Sequence, residues 1–391
     1  MKKFVLMASI IFSILLASTS SIYGEEKDDK KEQELNLAED AKSAILIERD
    51  TGKILYNKNA HEKLPPASMT KVMTLLLIME ALDEGKIKKS EMIRVSDRAA
   101  SMGGSQIFLE SGEEMSVNDL LKGVAIASGN DASVALAERI AGSEEAFVKK
   151  MNEKAKELGL ENTKFQNSTG LPAENHYSTV YDMAVMAKEL LKYETITEYT
   201  SIYEDYLRKG EENEFWLVNT NKLVKFYAGV DGLKTGYTNE AKYCLTATAE
   251  KNNMRVISVV MGADTMKKRN AAVTQMLDYA FNHFETKNLY KKGETITKLQ
   301  LLKAEENDVN VVASESVSTI HKKGESNGNV KASVELRDNF NLPLDRGEQV
   351  GELVVKSDGK VVSKTPLIID HEVKPASYFT LFKRTMQNMV K

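Results

Sequence analysis

The chain has 391 residues, enough for two domains, and its composition is ordinary, with 42% hydrophobic and 28% charged residues. The formal net charge of −4 shows no basic excess, which argues against nucleic acid as a partner. Cys244 is the only cysteine and the five histidines are scattered, so the sequence excludes an intrachain disulfide and predicts neither a metal site nor a cofactor.

Residues 1–24 have the pattern of a secretory signal peptide. Two lysines precede an apolar run at residues 4–17, small polar residues follow, and cleavage is expected near Ser20 or Gly24. The apolar run is too short to predict a membrane span, and an uncleaved anchor is the alternative. Residues 25–36 form a charged linker. We therefore expect an exported protein that acts outside the cytoplasmic membrane, where ATP and nicotinamide cofactors are absent.

A hairpin and an interior helix are predicted next along the chain. Residues 44–48 and 54–56 flank a turn that contains Gly52, which is typical of a β-hairpin. Two prolines then precede an uninterrupted run of helix-forming residues, from Ser68 to about Leu82. The apolar residues of this run cannot share one stripe, so we expect the helix to lie inside the protein.

Ser68 and Lys71 are three residues apart at the start of this helix, and therefore lie on one face. Burial of an ammonium group lowers its pKa, and a lysine so placed can take the proton of a serine hydroxyl. The pair predicts a nucleophile that needs no histidine. The alternative is chance, because residue usage alone gives about one Ser-x-x-Lys in a chain of this length.

Ser128, Gly129 and Asn130 form a polar cluster between two apolar helical segments. The helix before this cluster is expected to begin at Ser116, an N-cap residue with an acidic residue three positions later. Buried polar groups in such a turn must find hydrogen-bond partners or perform a task. A simple helix–helix connection is the alternative, and this segment alone favours it.

His176 lies in a polar loop before a helix predicted at residues 180–191. A histidine in such a loop has the chemistry of a catalytic base. We expect it instead to fix the loop.

Three adjacent antiparallel strands are predicted after this helix, because apolar and β-branched runs alternate with short polar segments. These runs lie at residues 229–238, 243–249 and 254–262. Lys234, Thr235 and Gly236 lie on or beside the first strand, and the glycine leaves room for a close approach to the strand edge. An exposed strand end is the alternative interpretation.

The last third of the chain has a different pattern. A helix predicted at residues 271–286 closes the first domain, and short strands with glycine turns indicate a small all-β domain at residues 288–370. Residues 378–391 form an amphipathic helix with aromatic residues on one half and cations on the other. This arrangement is typical of a helix that lies at a membrane surface, and packing on its own domain is the alternative.

Three motifs occur in a fixed order after the predicted signal peptide: Ser68-x-x-Lys71, Ser128-Gly129-Asn130 and Lys234-Thr235-Gly236. This order is known from β-lactamases and penicillin-binding proteins. The sequence resembles the low-molecular-mass penicillin-binding proteins that are serine-type D-alanyl-D-alanine carboxypeptidases. Ala228 and Lys242 differ from the proline and glycine usual in that family, but neither replaces a motif residue.

The resemblance implies an α+β fold. It predicts a β-lactamase/transpeptidase-like catalytic domain at residues 37–287, in which helices and a helical lobe flank an antiparallel sheet. The all-β domain at residues 288–370 and a membrane-associating helix at residues 371–391 then follow. The implied reaction removes the terminal D-alanine from peptidoglycan stems that end in D-Ala-D-Ala, with β-lactams as covalent inhibitors. The expected location is the extracytoplasmic face of the cytoplasmic membrane, where the terminal helix anchors the protein peripherally.

The same resemblance implies the roles of the catalytic residues. Ser68 attacks the carbonyl of the penultimate D-alanine, and Lys71 takes the proton of its hydroxyl. Ser128 relays a proton to the leaving D-alanine. Asn130 binds the amide of the substrate.

The substrate-binding residues implied on the strand are Lys234, Thr235, Gly236 and Tyr237. Lys234 supports the proton relay electrostatically, and Thr235 holds the terminal carboxylate. The backbone N–H groups of Ser68 and Tyr237 form the oxyanion hole. Arg269 is a weaker candidate for binding the carboxylate.

Two alternative functions are weighed against this one. A class A β-lactamase needs a glutamate in an E-x-x-L-N loop between the second and third motifs, and no Leu-Asn pair occurs there. The only such match, at residues 32–36, precedes the nucleophile. A non-catalytic cell-wall-binding protein would not need an activated nucleophile, so the intact pair of Ser68 and Lys71 argues against it.

Overall fold

The computed structural model describes residues 35–325 and 328–389, and the described residues from Leu37 onward form one compact unit. The signal peptide predicted at residues 1–24 lies outside the described residues, as does most of the linker predicted at residues 25–36. The helices are α1 (Lys71–Asp83), α2 (Asp97–Ala100), α3 (Val117–Ala125), α4 (Asn130–Ala141), α5 (Glu144–Glu157), α6 (Val180–Leu190), α7 (Ile196–Thr200), α8 (Leu223–Phe226), α9 (Met266–His283) and α10 (Tyr378–Met389). The strands are β1 (Ser43–Glu48), β2 (Ile54–Lys58), β3 (Met92–Arg94), β4 (Glu114–Ser116), β5 (Glu204–Leu207), β6 (Phe215–Val218), β7 (Val230–Thr238), β8 (Lys242–Lys251), β9 (Met254–Ala263), β10 (Phe284–Tyr290), β11 (Thr295–Gln300), β12 (Asp308–Ala313), β13 (Val317–Lys322), β14 (Val330–Leu336), β15 (Gln349–Ser357) and β16 (Lys360–Ile369).

An antiparallel sheet in the order β2-β1-β9-β8-β7 is the centre of the first domain. Successive side chains of a strand point to opposite faces, so a sheet covered on both faces is apolar throughout. Along β1, Ile45 packs in the core that contains α1, and Leu46 packs in the core that contains α9. The sheet is therefore buried between two helical layers, and β7 is one of its two edge strands.

Helix α1 is interior, as its sequence predicts. Every residue from Lys71 to Met79 is buried, which matches a helix that is apolar on all sides. The helix begins at Lys71, whereas the prediction placed its start at Ser68. Ala67–Thr70 instead forms a 3-10 helix, which we call the Ser68 turn. This tight turn packs against the backbones of two glycines that are distant in sequence, contacts that local sequence does not reveal.

The hairpin, the three adjacent strands and the helix N-cap predicted for the first domain are confirmed. The hairpin of β1 and β2 forms, and β7, β8 and β9 are adjacent antiparallel strands. The Ser116 hydroxyl accepts a hydrogen bond from the N–H of Asp119 at 3.1 Å, which caps α3. The sequence did not predict the β5–β6 hairpin.

The second domain is all-β, as expected, with a five-stranded sheet in the order β11-β12-β16-β15-β14 and the pair β10-β13. Strands β10, β11 and β13 were not predicted. Helix α9 starts earlier than residue 271, because Thr265 accepts a hydrogen bond from the N–H of Lys268 at 3.2 Å and caps it. It also ends before residue 286, because Phe284 is extended and begins β10. The predicted domain boundary at residue 288 therefore falls within that strand.

Helix α10 follows the second domain and leaves aromatic side chains in solvent. Tyr378 is 95% exposed, and Phe379 is 78% exposed. Within residues 35–325 and 328–389, no helix combines the length and the apolar character needed to cross a bilayer.

Candidate active site

The Ser68 turn places the serine at the edge of strand β7. Two glycines allow the close approach: a Cβ on Gly170 would lie 1.9 Å from the carbonyl oxygen of Ala67, and one on Gly236 would lie 2.7 Å from that of Pro66. Both distances are far below van der Waals contact. The room predicted beside Gly236 is thus filled by the backbone of the turn that carries Ser68.

Lys71 begins α1 and has no exposed surface. Its Nζ lies 3.3 Å from Ser68 Oγ, 2.6 Å from Asn130 Oδ1 and 2.8 Å from the carbonyl oxygen of Thr169. A neutral amine has two N–H donors, which match the two carbonyl-type oxygens, and one lone pair, which is left for the Ser68 hydroxyl.

The electrostatics of Lys71 favour this neutral form. Burial lowers the pKa of Lys71 well below its ordinary value, the charge of Lys234 lowers it further, and Asp131 partly opposes both effects. The amine is therefore suited to take a proton from Ser68.

Ser128 and Asn130 lie on the connection between α3 and α4. Ser128 has a φ of 66° and its buried Oγ has no hydrogen-bond partner among the described residues. A buried hydroxyl of this kind needs an outside partner. Asn130 bonds Lys71 through Oδ1 and donates from Nδ2 to the carbonyl of Gly103 at 2.6 Å. The connection thus presents one hydroxyl without a partner among the described residues, two residues before the Asn130 side chain that bonds Lys71.

Lys234 and Thr235 lie on β7 and are buried. Lys234 Nζ donates to the carbonyl oxygen of Thr235 at 2.9 Å, and burial, aided by the charge of Arg269, lowers its pKa to about 7. Thr235 Oγ1 donates to Thr220 Oγ1 at 2.7 Å. The Tyr237 side chain is exposed and packs on Tyr243, so only its backbone remains available for the role the resemblance implies.

Arg269 lies on α9 with its guanidinium buried. It donates to Asn270 Oδ1 at 3.0 and 2.7 Å, and burial lowers its pKa to about 10. Arg269 acts on the site through its positive charge, which helps to lower the pKa of Lys234.

His176 has the contacts of a residue that fixes a loop. Its Nδ1 accepts from the N–H of Gln166 at 3.2 Å, so Nε2 carries the proton and donates to Thr70 Oγ1 at 2.8 Å. Burial lowers its pKa to about 4, which keeps the ring neutral. The histidine joins the Ser68 turn to the following loop, and no contact directs it to Ser68.

Sequence reasoning missed the residues that hold the site together. Glu144 is buried and accepts from the N–H and the hydroxyl of Ser168, at 3.2 and 2.9 Å, which fixes the loop that carries the Thr169 carbonyl. Asp131 accepts from the N–H groups of Ile107 and Leu109 at 2.9 and 3.1 Å. Glu144 directly follows an N-cap residue, and Asp131 directly follows the polar cluster. Acidic residues are common in the first turn of any helix, so their positions do not distinguish these two carboxylates.

Comparison with known proteins matches two parts of the chain to described families. Residues 28–265 match the family described as D-alanyl-D-alanine carboxypeptidase, and residues 284–375 match the C-terminal domain of penicillin-binding protein 5. D-alanyl-D-alanine carboxypeptidase DacF of Bacillus subtilis is 57% identical over 386 residues, which cover 99% of each chain. DacC of Escherichia coli is 38% identical over 87% of this chain and 86% of its own.

Solved structures give the same assignment. Penicillin-binding protein 5 from Haemophilus influenzae superposes with a TM-score of 0.66 at 34% identity, over 86% of this chain and 98% of its own. Penicillin-binding protein D2 from Listeria monocytogenes, in its ampicillin-bound form, has a TM-score of 0.56 at 32% identity, over 62% of this chain and 98% of its own. The fold is that of a penicillin-binding protein. The chain belongs to the D-alanyl-D-alanine carboxypeptidase family.

The fit of Gly170 against the Ser68 turn gives a first prediction. In Gly170→Ala the new methyl group displaces the turn, and a shift of about 1 Å at a nucleophile costs roughly 100-fold in rate. We expect acylation by a fluorescent penicillin to slow by about that factor. The matched control is Gly210→Ala, because Gly210 also has a positive φ but has no atom near its Cβ position. Equal acylation rates in the two folded variants would contradict the proposed fit.

Proposed function

We propose that this protein is a serine-type D-Ala-D-Ala carboxypeptidase that removes the terminal D-alanine from pentapeptide stems of peptidoglycan. The observation that carries the proposal is the buried Lys71 amine, placed between the Ser68 hydroxyl and the oxygens of Asn130 and Thr169. Family membership indicates the same reaction.

The first half of the reaction forms an acyl-enzyme. Lys71 Nζ takes the proton of Ser68, and Ser68 Oγ attacks the carbonyl carbon of the penultimate D-alanine. The backbone N–H groups of Ser68 and Tyr237 bind the oxyanion, and each such donor is worth about 3 kcal/mol of transition-state stabilisation. The C–N bond then breaks, and the proton that Lys71 took from Ser68 passes through Ser128 to the amine of the leaving D-alanine.

Substrate contacts and hydrolysis complete the cycle. Asn130 binds the amide of the stem, and Thr235 binds the terminal carboxylate while the charge of Lys234 supports the proton relay through Ser128. Water then attacks the ester on Ser68 and releases the shortened stem. The free Ser128 hydroxyl supports this assignment, because its partner is supplied by the substrate.

A β-lactam should react with Ser68 in the same way, since it resembles the D-Ala-D-Ala end. Rapid release of that adduct requires a carboxylate base, as in a class A β-lactamase. Among the described residues, no carboxylate bonds Ser68 or Lys71, and Glu144 is engaged by Ser168 and Arg98. The absence of such a carboxylate at Ser68 and Lys71, among the described residues, favours a carboxypeptidase with a long-lived β-lactam adduct over a class A β-lactamase.

A non-catalytic wall-binding protein is the less favoured function. Binding alone does not require an amine whose pKa is lowered by burial, and keeping that amine out of water destabilises the fold. The retained Lys71 therefore favours catalysis.

The nucleophile is tested by Ser68→Ala. We expect this variant to release no D-alanine from a soluble pentapeptide and to take no label from a fluorescent penicillin, because the attacking hydroxyl is missing. The control is Ser101→Ala, an exposed serine away from the motifs, which should behave as wild type. Mass spectrometry of the wild-type adduct should place the drug on Ser68, and an adduct on another residue would falsify the assignment.

We also propose that the protein is exported and that α10 holds it peripherally at the extracytoplasmic face of the cytoplasmic membrane. Arg384 donates to the carbonyl oxygens of Ala304 and Glu305 at 2.7 and 2.6 Å, which attaches the polar side of the helix to the second domain. Phe379 and Phe382 remain exposed. Aromatic residues left free opposite cations support a helix that binds a membrane surface. The export signal is the pattern at residues 1–24.

The anchor is tested by Phe379→Ser with Phe382→Ser in the chain that starts at residue 25. We expect this variant to stay in the supernatant when vesicles of phosphatidylglycerol and phosphatidylethanolamine are pelleted, because it has lost the aromatic side chains that enter the interface. The control, Val361→Ser with Val362→Ser, changes two exposed apolar residues of β16 and should pellet as wild type does. Co-sedimentation of both variants would contradict the anchoring role.

A further inference from the structure

Strand β14 leaves one edge of the second domain open. It is the outer strand of the five-stranded sheet, and among the described residues it pairs only with β15. The N–H of Arg337 donates to the carbonyl of Val350 at 3.0 Å, so the odd-numbered residues of this register bond β15. The backbone N–H and C=O groups of the even-numbered residues 330–336 therefore point away from β15, toward the open edge. An edge of this kind is a template for another strand.

The same even-numbered residues form an apolar stripe that continues the core. Ala332 lies opposite Val355 and Val334 lies opposite Leu353, and both β15 residues are buried in the core of the second domain. Directly opposite residues share a face of the sheet. Yet Val334 is 38% exposed and Leu336 is 36% exposed. The core of this domain is thus uncovered at the open edge.

The other face of β14 carries charges that the chain itself does not neutralise. Lys331 lies opposite Lys356 and Glu335 lies opposite Glu352, and like charges directly opposite each other are destabilising. Glu352 pairs with Lys364 at 3.2 Å, whereas Lys331 and Glu335 form no ion pair among the described residues. Lys331 and Glu335 each lack an opposite charge at the open edge of β14.

We propose that β14 pairs antiparallel with β14 of a second copy of this chain, about a two-fold axis at Ser333. Lys331 then faces Glu335 of the second copy, and Glu335 faces Lys331 of the second copy. On the apolar face, Val330 meets Leu336 and Ala332 meets Val334. A closed two-fold pairing uses the β14 edge of both copies and leaves neither of these two edges open.

Charge selects this register. Only the even-numbered residues have free backbone groups, so the strands can shift by two residues at a time. A shift in one direction places Lys331 against Arg337 of the second copy, which is repulsive. A shift in the other direction places Glu335 against Asn329, which is uncharged. The register centred on Ser333 alone forms both ion pairs. No residue of the proposed active site takes part, so the pairing is independent of the proposed reaction.

The axis is tested with Ser333→Cys in the full chain under mild oxidation. Opposed residues of a pair without backbone hydrogen bonds have Cα atoms about 4.5 Å apart, within the range of about 4.4–6.8 Å that a disulfide spans. We expect most of this variant to form a covalent dimer on a non-reducing gel. The wild type should not cross-link, because its single cysteine, Cys244, is buried.

Lys331→Cys is the matched control on the same strand. In the proposed register this cysteine faces residue 335 of the second copy and not itself, so it should stay monomeric alone and form a dimer when mixed with Glu335→Cys. Cross-linking of Lys331→Cys alone to the extent of Ser333→Cys would overturn the register, and a monomeric Ser333→Cys would overturn the pairing.

A charge exchange tests the ion pairs without cysteine. Lys331→Glu places two glutamates together at each end and should weaken dimerisation, measured by sedimentation, by about tenfold. Lys331→Glu with Glu335→Lys restores opposite charges and should recover the wild-type association. Penicillin labelling verifies that each variant is folded. A wild type that stays monomeric at all concentrations, or a double exchange that does not recover, would overturn the proposal.

Discussion

The burial of one amine determines how this active site is built. Lys71 has no exposed surface, and burial lowers its pKa well below the ordinary lysine value. Asn130 and Thr169 accept hydrogen bonds from its Nζ, which also lies 3.3 Å from Ser68 Oγ, so in the neutral form the lone pair is left for Ser68. Lys71 is the first residue of the interior helix α1, whose residues from Lys71 to Met79 are all buried, and this position keeps the amine from water.

The rest of the site holds the oxygens of Ser68, Asn130 and Thr169 around this amine. Glu144 fixes the loop that carries Thr169, and Asp131 anchors the connection that carries Asn130. The Ser68 turn is held against the backbones of Gly170 and Gly236, where no side chain would fit. These contacts come from segments far apart in sequence, so a disturbance in any one of them reaches Ser68 either directly or through the lysine.

The sequence predicted what depends on local pattern or on motif residues. The apolar run of α1, the N-cap at Ser116 and the strands around Lys234 follow from periodicity and turn chemistry, and the structure confirms them. The Thr169 carbonyl was not predictable, because any residue type supplies a backbone oxygen. The 3-10 form of the Ser68 turn was missed for a related reason, since it depends on packing against Gly170. The catalytic roles of Ser128, Asn130 and Lys234 remain predictions that their contacts support.

The proposed reaction requires Lys71 to be neutral beside Ser68. The pH titration of the Lys71 Cε resonance measures its protonation state directly. The spectrum of the protein labelled with ¹³C at the lysine Cε would be compared with that of Lys71→Met. The resonance that the variant lacks belongs to Lys71. We predict a resonance that titrates well below the ordinary lysine pKa of 10.5. A resonance that titrates at or above that pKa would mean that Lys71 is an ammonium at neutral pH, which would contradict its role as the base.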